Sequence, residues 1–211
     1  MITAQTLSDG YLRFRSGRFA EEAQRYQALA RGQQPRVMIV ACADSRVDPA
    51  TIFAAGPGEL FVVRNVAAIV PPYEEDGRYH GTSAAVEFAV TSLNVDMILV
   101  MGHGLCGGVA ACLAAADDRP VGRFIAPWVG LLDGCRDELI AREPNMSGVE
   151  RQRALEHRGV LQSLENLTTF PFVARAIDSG RLKIEGAWFS IADGQLHWLD
   201  RDRGVFDPVT T

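Results

Sequence analysis

The sequence lacks an apolar run long enough to form a membrane-spanning helix. Crossing a bilayer takes about 20 consecutive apolar residues, and no run in these 211 residues approaches that length. Positive charge is not in excess either, because 21 lysines and arginines face 26 acidic residues, for a net charge of −5. No basic stripe is interleaved with aromatic residues. We therefore expect neither a nucleic acid nor a membrane as a partner.

Cysteine is scarce, and the chain shows no secretory signal. The opening residues MITAQTLSDGYLRFRSGR contain no charged segment that leads into an apolar one, which leads us to expect a cytoplasmic protein. Four scattered cysteines are too few for a disulfide scaffold in a chain of this length. They are better interpreted as thiols or as metal ligands.

The apolar pattern predicts alternating strands and helices. Short continuous apolar runs, typical of strands buried on both faces, occupy 37–41, 60–63 and 95–101. Helical patterns occupy 6–31, 83–94, 109–116, 123–141, 148–167 and 171–179. Near the end, runs at 187–191 and 196–199 flank an Asp-Gly turn and predict a hairpin.

These elements predict a single α/β domain over residues 1–211. We expect three layers, with a mainly parallel central sheet and an antiparallel C-terminal edge strand. Residues 1–32 form an N-terminal helical arm in this interpretation, and residues 33–211 form the α/β core.

The stretch MGHGLCGG at 101–108 has two interpretations. Its glycines at 102, 104 and 107 fit G-x-G-x-x-G between a strand and a helix, the context of a dinucleotide-binding fingerprint. That fingerprint also needs a second strand ending in an acidic residue about 20 positions on. The acidic residues at 117–118 follow no predicted strand. The glycines are therefore expected to let the backbone turn tightly and to present amides near an ion.

Two thiols and an imidazole at strand ends form a candidate zinc site. Cys42 ends the first core strand, and His103 ends a later one with Cys106 three residues further on. Sites in open α/β sheets form outside the carboxyl ends of the strands, so these loops are expected to converge. This ligand set suits zinc and leaves a fourth position for water, as in catalytic sites. Cys112 and Cys135 are interpreted as small buried side chains.

The two loops together resemble the β-class carbonic anhydrases, nearest to their plant-type branch. The family signatures Cys-x-Asp-x-Arg and His-x-x-Cys-Gly-Gly stand here as CADSR at 42–46 and HGLCGG at 103–108. The similarity is close from about Gln33 to Leu113 and looser beyond. It implies reversible hydration of CO2 to bicarbonate and a proton, on one zinc ion per chain bound by Cys42, His103 and Cys106.

The resemblance also implies roles for residues around the metal. Asp44 is the carboxylate that orients the nucleophile, and Arg46 keeps it ionised through a fork of hydrogen bonds. Gln33 donates a hydrogen bond to the substrate, although the adjacent Gln34 leaves this assignment open by one position. The substrate pocket at a subunit boundary includes Phe61, Val66, Phe88 and Gly107.

Two positions depart from patterns within the family. Phe88 stands where the plant-type branch usually has a tyrosine, so the pocket loses a hydroxyl group. Ile39 stands where another branch, in which the aspartate binds zinc and closes the site, has a tryptophan. We therefore predict an open site in which water, rather than Asp44, takes the fourth position on zinc.

Three histidines remain outside these motifs. Export of the proton needs a titrating group, and His80, in a polar loop, is the candidate shuttle. His157 is expected on the solvated face of a helix, and His197 in a strand.

Two other functions stay open at this point. The same site would serve a hydrolase of COS or CS2, and pocket access would decide between these substrates. Alternatively, the chain is a noncatalytic bicarbonate or redox sensor in which Cys42 and Cys106 switch between metal and disulfide. The pair of Asp44 and Arg46 favours an enzyme, because a sensor need not orient a nucleophile. The resemblance further implies a homodimer or a larger assembly of dimers, with the arm packed on a neighbour.

Overall fold

The computed structural model describes residues 2–75, 80–117 and 119–210. Helices and strands alternate along these residues: α1 (Ala4–Ser16), α2 (Arg18–Glu21), α3 (Ala23–Leu29), β1 (Val37–Cys42), α4 (Pro49–Ile52), β2 (Leu60–Asn65), α5 (Gly81–Glu87), β3 (Met97–His103), α6 (Gly107–Ala116), α7 (Ile125–Val129), α8 (Asp133–Arg142), α9 (Gly148–Thr169), α10 (Pro171–Asp178), β4 (Lys183–Phe189), β5 (Leu196–Asp200) and β6 (Val205–Pro208). Short 3-10 turns cover Val66–Ala68 and Gly130–Leu132, and a π-helical turn covers Phe88–Ser92.

The strands form one six-stranded sheet with the order β2-β1-β3-β4-β5-β6. The first four of these pair in parallel, and β5 and β6 extend the sheet in antiparallel pairing. The mainly parallel sheet is confirmed, but the antiparallel edge has two strands where the sequence predicted one. The missed strand, β6, has four residues and ends at Pro208, and so short a segment carries little periodic signal.

Helix α9 covers one face of the sheet and the short helix α4 lies against the other. Val160, Leu164 and Leu167 of α9 share a buried cluster with strand residues such as Val40 and Val100. Ile52 and Phe53 pack against the opposite-face residues Ile39, Ala41, Leu99, Met101 and Ala187. Burying both faces explains why β1 and β3 are continuous apolar runs.

Helix breaks distinguish the structure from the predicted helices. The arm predicted over 6–31 consists of α1, α2 and α3, with breaks at Gly17 and Glu22. The predicted helix at 123–141 is divided by the 3-10 turn that begins at Gly130. Among the described residues, no helix combines the length and apolar character that membrane crossing requires.

Candidate metal centre

Strand pairing brings the two signature loops together. The parallel strands β1 and β3 are neighbours, with Ala41 opposite Met101. The segments that follow these two strands therefore leave the sheet side by side, at its carboxyl-terminal end. Cys42 is the last residue of β1, His103 is the last residue of β3, and Cys106 immediately precedes α6. The predicted convergence of these loops at the carboxyl ends of the strands is confirmed.

Cys42, His103 and Cys106 form a compact buried group. One ligand atom from each lies within 4.8 Å of the others, and the two sulfur atoms are 3.9 Å apart. Their exposed fractions are 5%, 1% and 2%. All four cysteines are free thiols, and Cys112 and Cys135 lie outside the group.

The imidazole of His103 is oriented as a metal ligand requires. Its Nδ1 lies 2.9 Å from the carbonyl oxygen of Gly104, and because a carbonyl only accepts, Nδ1 carries the proton. The other nitrogen, Nε2, is buried and has no hydrogen-bond partner among the described residues. An unsatisfied lone pair in a buried site is costly, and a metal ion satisfies it.

The two thiols together favour a cation. The Cys106 thiol donates to the Cys42 sulfur and lowers the pKa of Cys42 to about 4. The same interaction, with burial, raises the pKa of Cys106. The pair therefore holds one proton, and a divalent cation takes its place when both sulfurs bind as thiolates. The backbone amides of Gly108 and Val109, at the start of α6, donate to the Cys106 sulfur and favour its thiolate form. These donors fit zinc.

Asp44 is held beside this group by Arg46. The Arg46 Nε donates to Asp44 Oδ1 at 2.9 Å and its Nη2 to Oδ2 at 2.7 Å. The backbone amide of Arg46 donates a third bond, at 3.0 Å. These bonds hold the pKa of Asp44 well below its usual range. Asp44 Oδ2 is 4.0 Å from His103 Nε2, so an ionised carboxylate borders the ligand group.

Sequence reasoning missed two charged residues that support the loops. Arg64 donates from Nε to the carbonyl oxygen of Cys42 at 2.9 Å and from Nη2 to that of Asp44. Glu156 accepts from the Cys106 amide at 3.0 Å, and its own pKa is raised by burial. The signal for Arg64 was a charge directly after the apolar run of strand β2, whereas Glu156 resembles any polar residue of a long helix.

Two glycines of 101–108, Gly104 and Gly108, permit close packing. A Cβ on Gly104 would lie 3.0 Å from the Trp188 ring, and one on Gly108 would lie 2.6 Å from Val66 Cγ1. The residue in the left-handed region is Leu105, with a φ of 56°. Gly104 does lie in the turn that follows β3, but the left-handed conformation there belongs to Leu105 rather than to a glycine. The amide of Gly108 faces a ligand sulfur.

The predicted pocket residues fall into two places. Val66 packs against the start of α6, where Gly107 is the first residue. Phe61 and Phe88 contact each other, with ring centroids 5.9 Å apart. Phe88 is 46% exposed, and its hydroxyl-free ring leaves this face apolar.

Gln33 and His80 lie in other cavities of the chain. Gln33, beside Gln34, lines a cavity of 460 Å³ with Arg25 and Leu29 of α3. His80 directly precedes α5 and lines a cavity of 630 Å³ that also includes Glu87. None of the three candidate ligands is among the described residues that line these cavities. The shuttle role of His80 stays a prediction.

The prediction for His157 was wrong, because its ring is packed between aromatic side chains. Its centroid lies 5.1 Å from that of Trp188 and 4.4 Å from that of Phe206. Burial, with the positive charge of Arg153 and the nearby His197, lowers the pKa of His157 to about 4. The strand position of His197, in β5, is confirmed.

We expect the His157→Phe variant to lose less stability than the unchanged protein when the pH falls from 8 to 5. The unfolded chain takes up the His157 proton below a pKa of about 6.5, whereas the folded protein does so near 4. Titration of His157 therefore lowers the free energy of unfolding of the unchanged protein as the pH falls through this window, by about 2 kcal/mol between pH 8 and pH 5. The variant lacks this contribution. Urea unfolding of both proteins across the range measures the difference, and parallel profiles would contradict it.

Comparisons with known proteins extend the similarity beyond the two motifs. A family model described as Carbonic anhydrase matches residues 37–196. The chain is 34% identical over 183 residues to Beta carbonic anhydrase 5, chloroplastic, of Arabidopsis thaliana, covering 87% of this chain and 60% of that protein. It is 39% identical over 194 residues to Carbonic anhydrase of Pseudomonas aeruginosa, covering 91% and 86%. The chain thus spans less than two thirds of the plant protein's length.

Solved structures show the same architecture. The β-carbonic anhydrase CcaA matches with a TM-score of 0.92 at 28% identity, over 98% of this chain and 92% of that one. One of two tetrameric β-carbonic anhydrases from Sordaria macrospora matches with a TM-score of 0.83 at 28% identity, over 93% and 95%. The similarity therefore includes the sheet, its flanking helices and the N-terminal arm.

Proposed function

The chain belongs to the β-class carbonic anhydrases, a family of enzymes, and from this membership we propose that it catalyses the reversible hydration of CO2. Its cofactor in this proposal is one zinc ion per chain, held by Cys42, His103 and Cys106. The observation that carries the proposal is the buried group of three ligand atoms within 4.8 Å of one another. The partnerless Nε2 of His103 supports a metal over a purely structural cluster.

The residues of this chain would bind, orient and shield the reactants. When bound, the zinc ion supplies the positive charge that lowers the pKa of a water molecule to about 7. Asp44, kept ionised by Arg46, only accepts hydrogen bonds. It therefore holds the O–H of the attacking water and turns an oxygen lone pair toward the carbon of CO2. The fork from Arg46 leaves Asp44 outside the ligand group, which supports the open site.

The substrate pocket in this proposal is apolar and lies beside the ligands. Val66 adjoins the α6 start, and the Gly107 amide there is the donor for bicarbonate. Phe61 and Phe88 lie apart from Val66 in the single chain, so in this proposal they complete the apolar wall across a subunit boundary, where the ring of Phe88 is exposed. Gln33, on the loop before β1, is the proposed donor to substrate at that boundary.

We propose assembly as a homodimer or a larger set of dimers. No residue of α1, α2 or α3 is buried in the single chain. Leu7, Tyr11 and Leu12 of α1 are 67%, 53% and 59% exposed, and such an apolar surface favours a protein partner. The Sordaria macrospora relatives are tetramers.

A direct assay of metal and activity tests the function. We expect the purified protein to contain about one zinc ion per chain and to accelerate CO2 hydration in a stopped-flow pH-indicator assay. Stripping the metal with a chelator should abolish the activity, and added zinc should restore it. Zinc at full occupancy without CO2 hydration would contradict the proposal and favour a noncatalytic sensor.

A further inference from the structure

Glu156 is an unusual carboxylate for a protein interior. It lies on α9 and is 4% exposed, and no arginine or lysine among the described residues forms an ion pair with it. Burying a carboxylate without a cationic partner costs free energy unless hydrogen bonds compensate it. The position of Glu156 therefore depends on the hydrogen bonds that its two carboxylate oxygens accept.

Three donors from three different elements converge on this carboxylate. The Cys106 amide donates to Oε1 at 3.0 Å, and the Gln152 side chain donates to the same oxygen at 3.1 Å. The Trp188 indole donates to Oε2 at 3.2 Å. An ionised carboxylate accepts at both oxygens, whereas an amide would turn an NH2 group toward one of these donors.

The segment held by these bonds is strained. Leu105 takes a φ of 56°, a left-handed conformation that is unfavourable for a non-glycine residue, and its side chain is 59% exposed. Packing of the Leu105 side chain therefore contributes little to holding this conformation. The amide of the next residue, Cys106, donates the hydrogen bond that Glu156 accepts.

Trp188 extends the support to the other end of the segment. Its ring lies where a Cβ on Gly104 would be 3.0 Å away and one on Gly102 would be 3.6 Å away. These glycines flank His103. The Trp188 ring thus packs against the backbone on both sides of His103. Glu156 holds that ring in place by accepting a hydrogen bond from the Trp188 Nε1.

We propose that Glu156 is a positioning residue that sets the separation of the His103 and Cys106 ligand atoms. One oxygen holds the backbone of Cys106, and the other holds the ring behind His103. This inference rests on the proposed zinc site. It assigns Glu156 no contact with the metal or the substrate.

Zinc affinity measured by chelator competition, without CO2, tests the proposal. Outer hydrogen-bond partners of metal ligands typically contribute about 10- to 100-fold to affinity, so we expect Glu156→Gln to weaken zinc binding by about that factor. Glu165→Gln, on the exposed side of the same helix, is the matched control and should bind zinc as the unchanged protein does. A change below about threefold in Glu156→Gln would overturn the proposal.

A second variant separates position from charge. Glu156→Asp keeps the negative charge but shortens the reach, so positioning predicts a weakened zinc affinity here too. Affinity equal to that of the unchanged protein would show that charge alone matters and would overturn the proposal. Urea unfolding of the metal-free variants shows whether a weaker affinity merely follows a loss of fold.

If Glu156→Gln does not fold, Trp188→Phe takes its place, because it keeps an aromatic ring and removes the Nε1 donor. Zinc binding weakened by about threefold or more supports the proposal, and a smaller change overturns it. These affinities are independent of CO2 hydration. The proposed activity can therefore fail while this inference holds, and the reverse is also true.

Discussion

The Cys106→Ser variant is expected to purify without zinc and to lose CO2 hydration by at least about 1000-fold. A serine hydroxyl remains protonated at neutral pH and cannot replace a cysteine thiolate as a zinc ligand. The substitution leaves one thiol and one imidazole of the group that lies within 4.8 Å, which is too few donors for a stable site. Zinc analysis by mass spectrometry and a stopped-flow assay measure the two effects.

Cys135→Ser is the matched control for this variant. Cys135 lies outside the ligand group, and its sulfur donates to Gln162 Oε1 at 3.3 Å, a bond that a serine hydroxyl can also make. We expect full zinc content and activity. A Cys106→Ser protein that is folded by circular dichroism and keeps its zinc would show that the ligand assignment is wrong.

The Asp44→Asn variant is expected to keep its zinc and to lose about 100-fold or more in kcat/KM. Asparagine has nearly the same shape, but its NH2 group cannot accept, and the charge that pairs with Arg46 at 2.7 Å disappears. The attacking water then loses its fixed orientation, while Cys42, His103 and Cys106 remain. Activity and metal content measured on one preparation separate this effect from loss of zinc.

Asp48→Asn controls for charge removal on the same loop. Asp48 caps α4 by accepting from the Thr51 amide at 3.0 Å, and asparagine is an equally good cap. The ion pair of Asp48 with Arg64 uses Nη1, 3.5 Å away, rather than the Nε and Nη2 atoms that hold the loop carbonyls. The activity of this variant should stay near that of the unchanged protein. An Asp44→Asn enzyme with more than about half of the original kcat/KM would remove Asp44 from the mechanism.

The convergence of the candidate ligands could be predicted because it depends on local pattern and on one topological rule. Apolar runs located β1 and β3, and the rule that sites form at the carboxyl ends of parallel strands placed Cys42 near His103. The comparisons confirm the resemblance to the β-class family. Family membership and fold class were therefore available before any coordinates.

Glu156 and His157 could not be found in the same way. Both lie on a helix whose pattern was recognised, but their burial depends on Trp188 and Phe206, which are distant in the sequence. Periodicity identifies an apolar stripe, and polar residues are by default assigned to the opposite face. The edge strand β6 was missed for a related reason, since only its pairing with β5 defines it.

The register between β1 and β3 has a consequence for insertions and deletions. Ala41 stands opposite Met101, and a strand shifted by one residue presents all its side chains to the opposite face. One residue added within β3 would therefore turn His103 away from Cys42. Loops between these elements, such as 53–59 between α4 and β2, carry no strand register and can change in length without that penalty. Length variation among homologous proteins should thus concentrate in such loops rather than inside the paired strands.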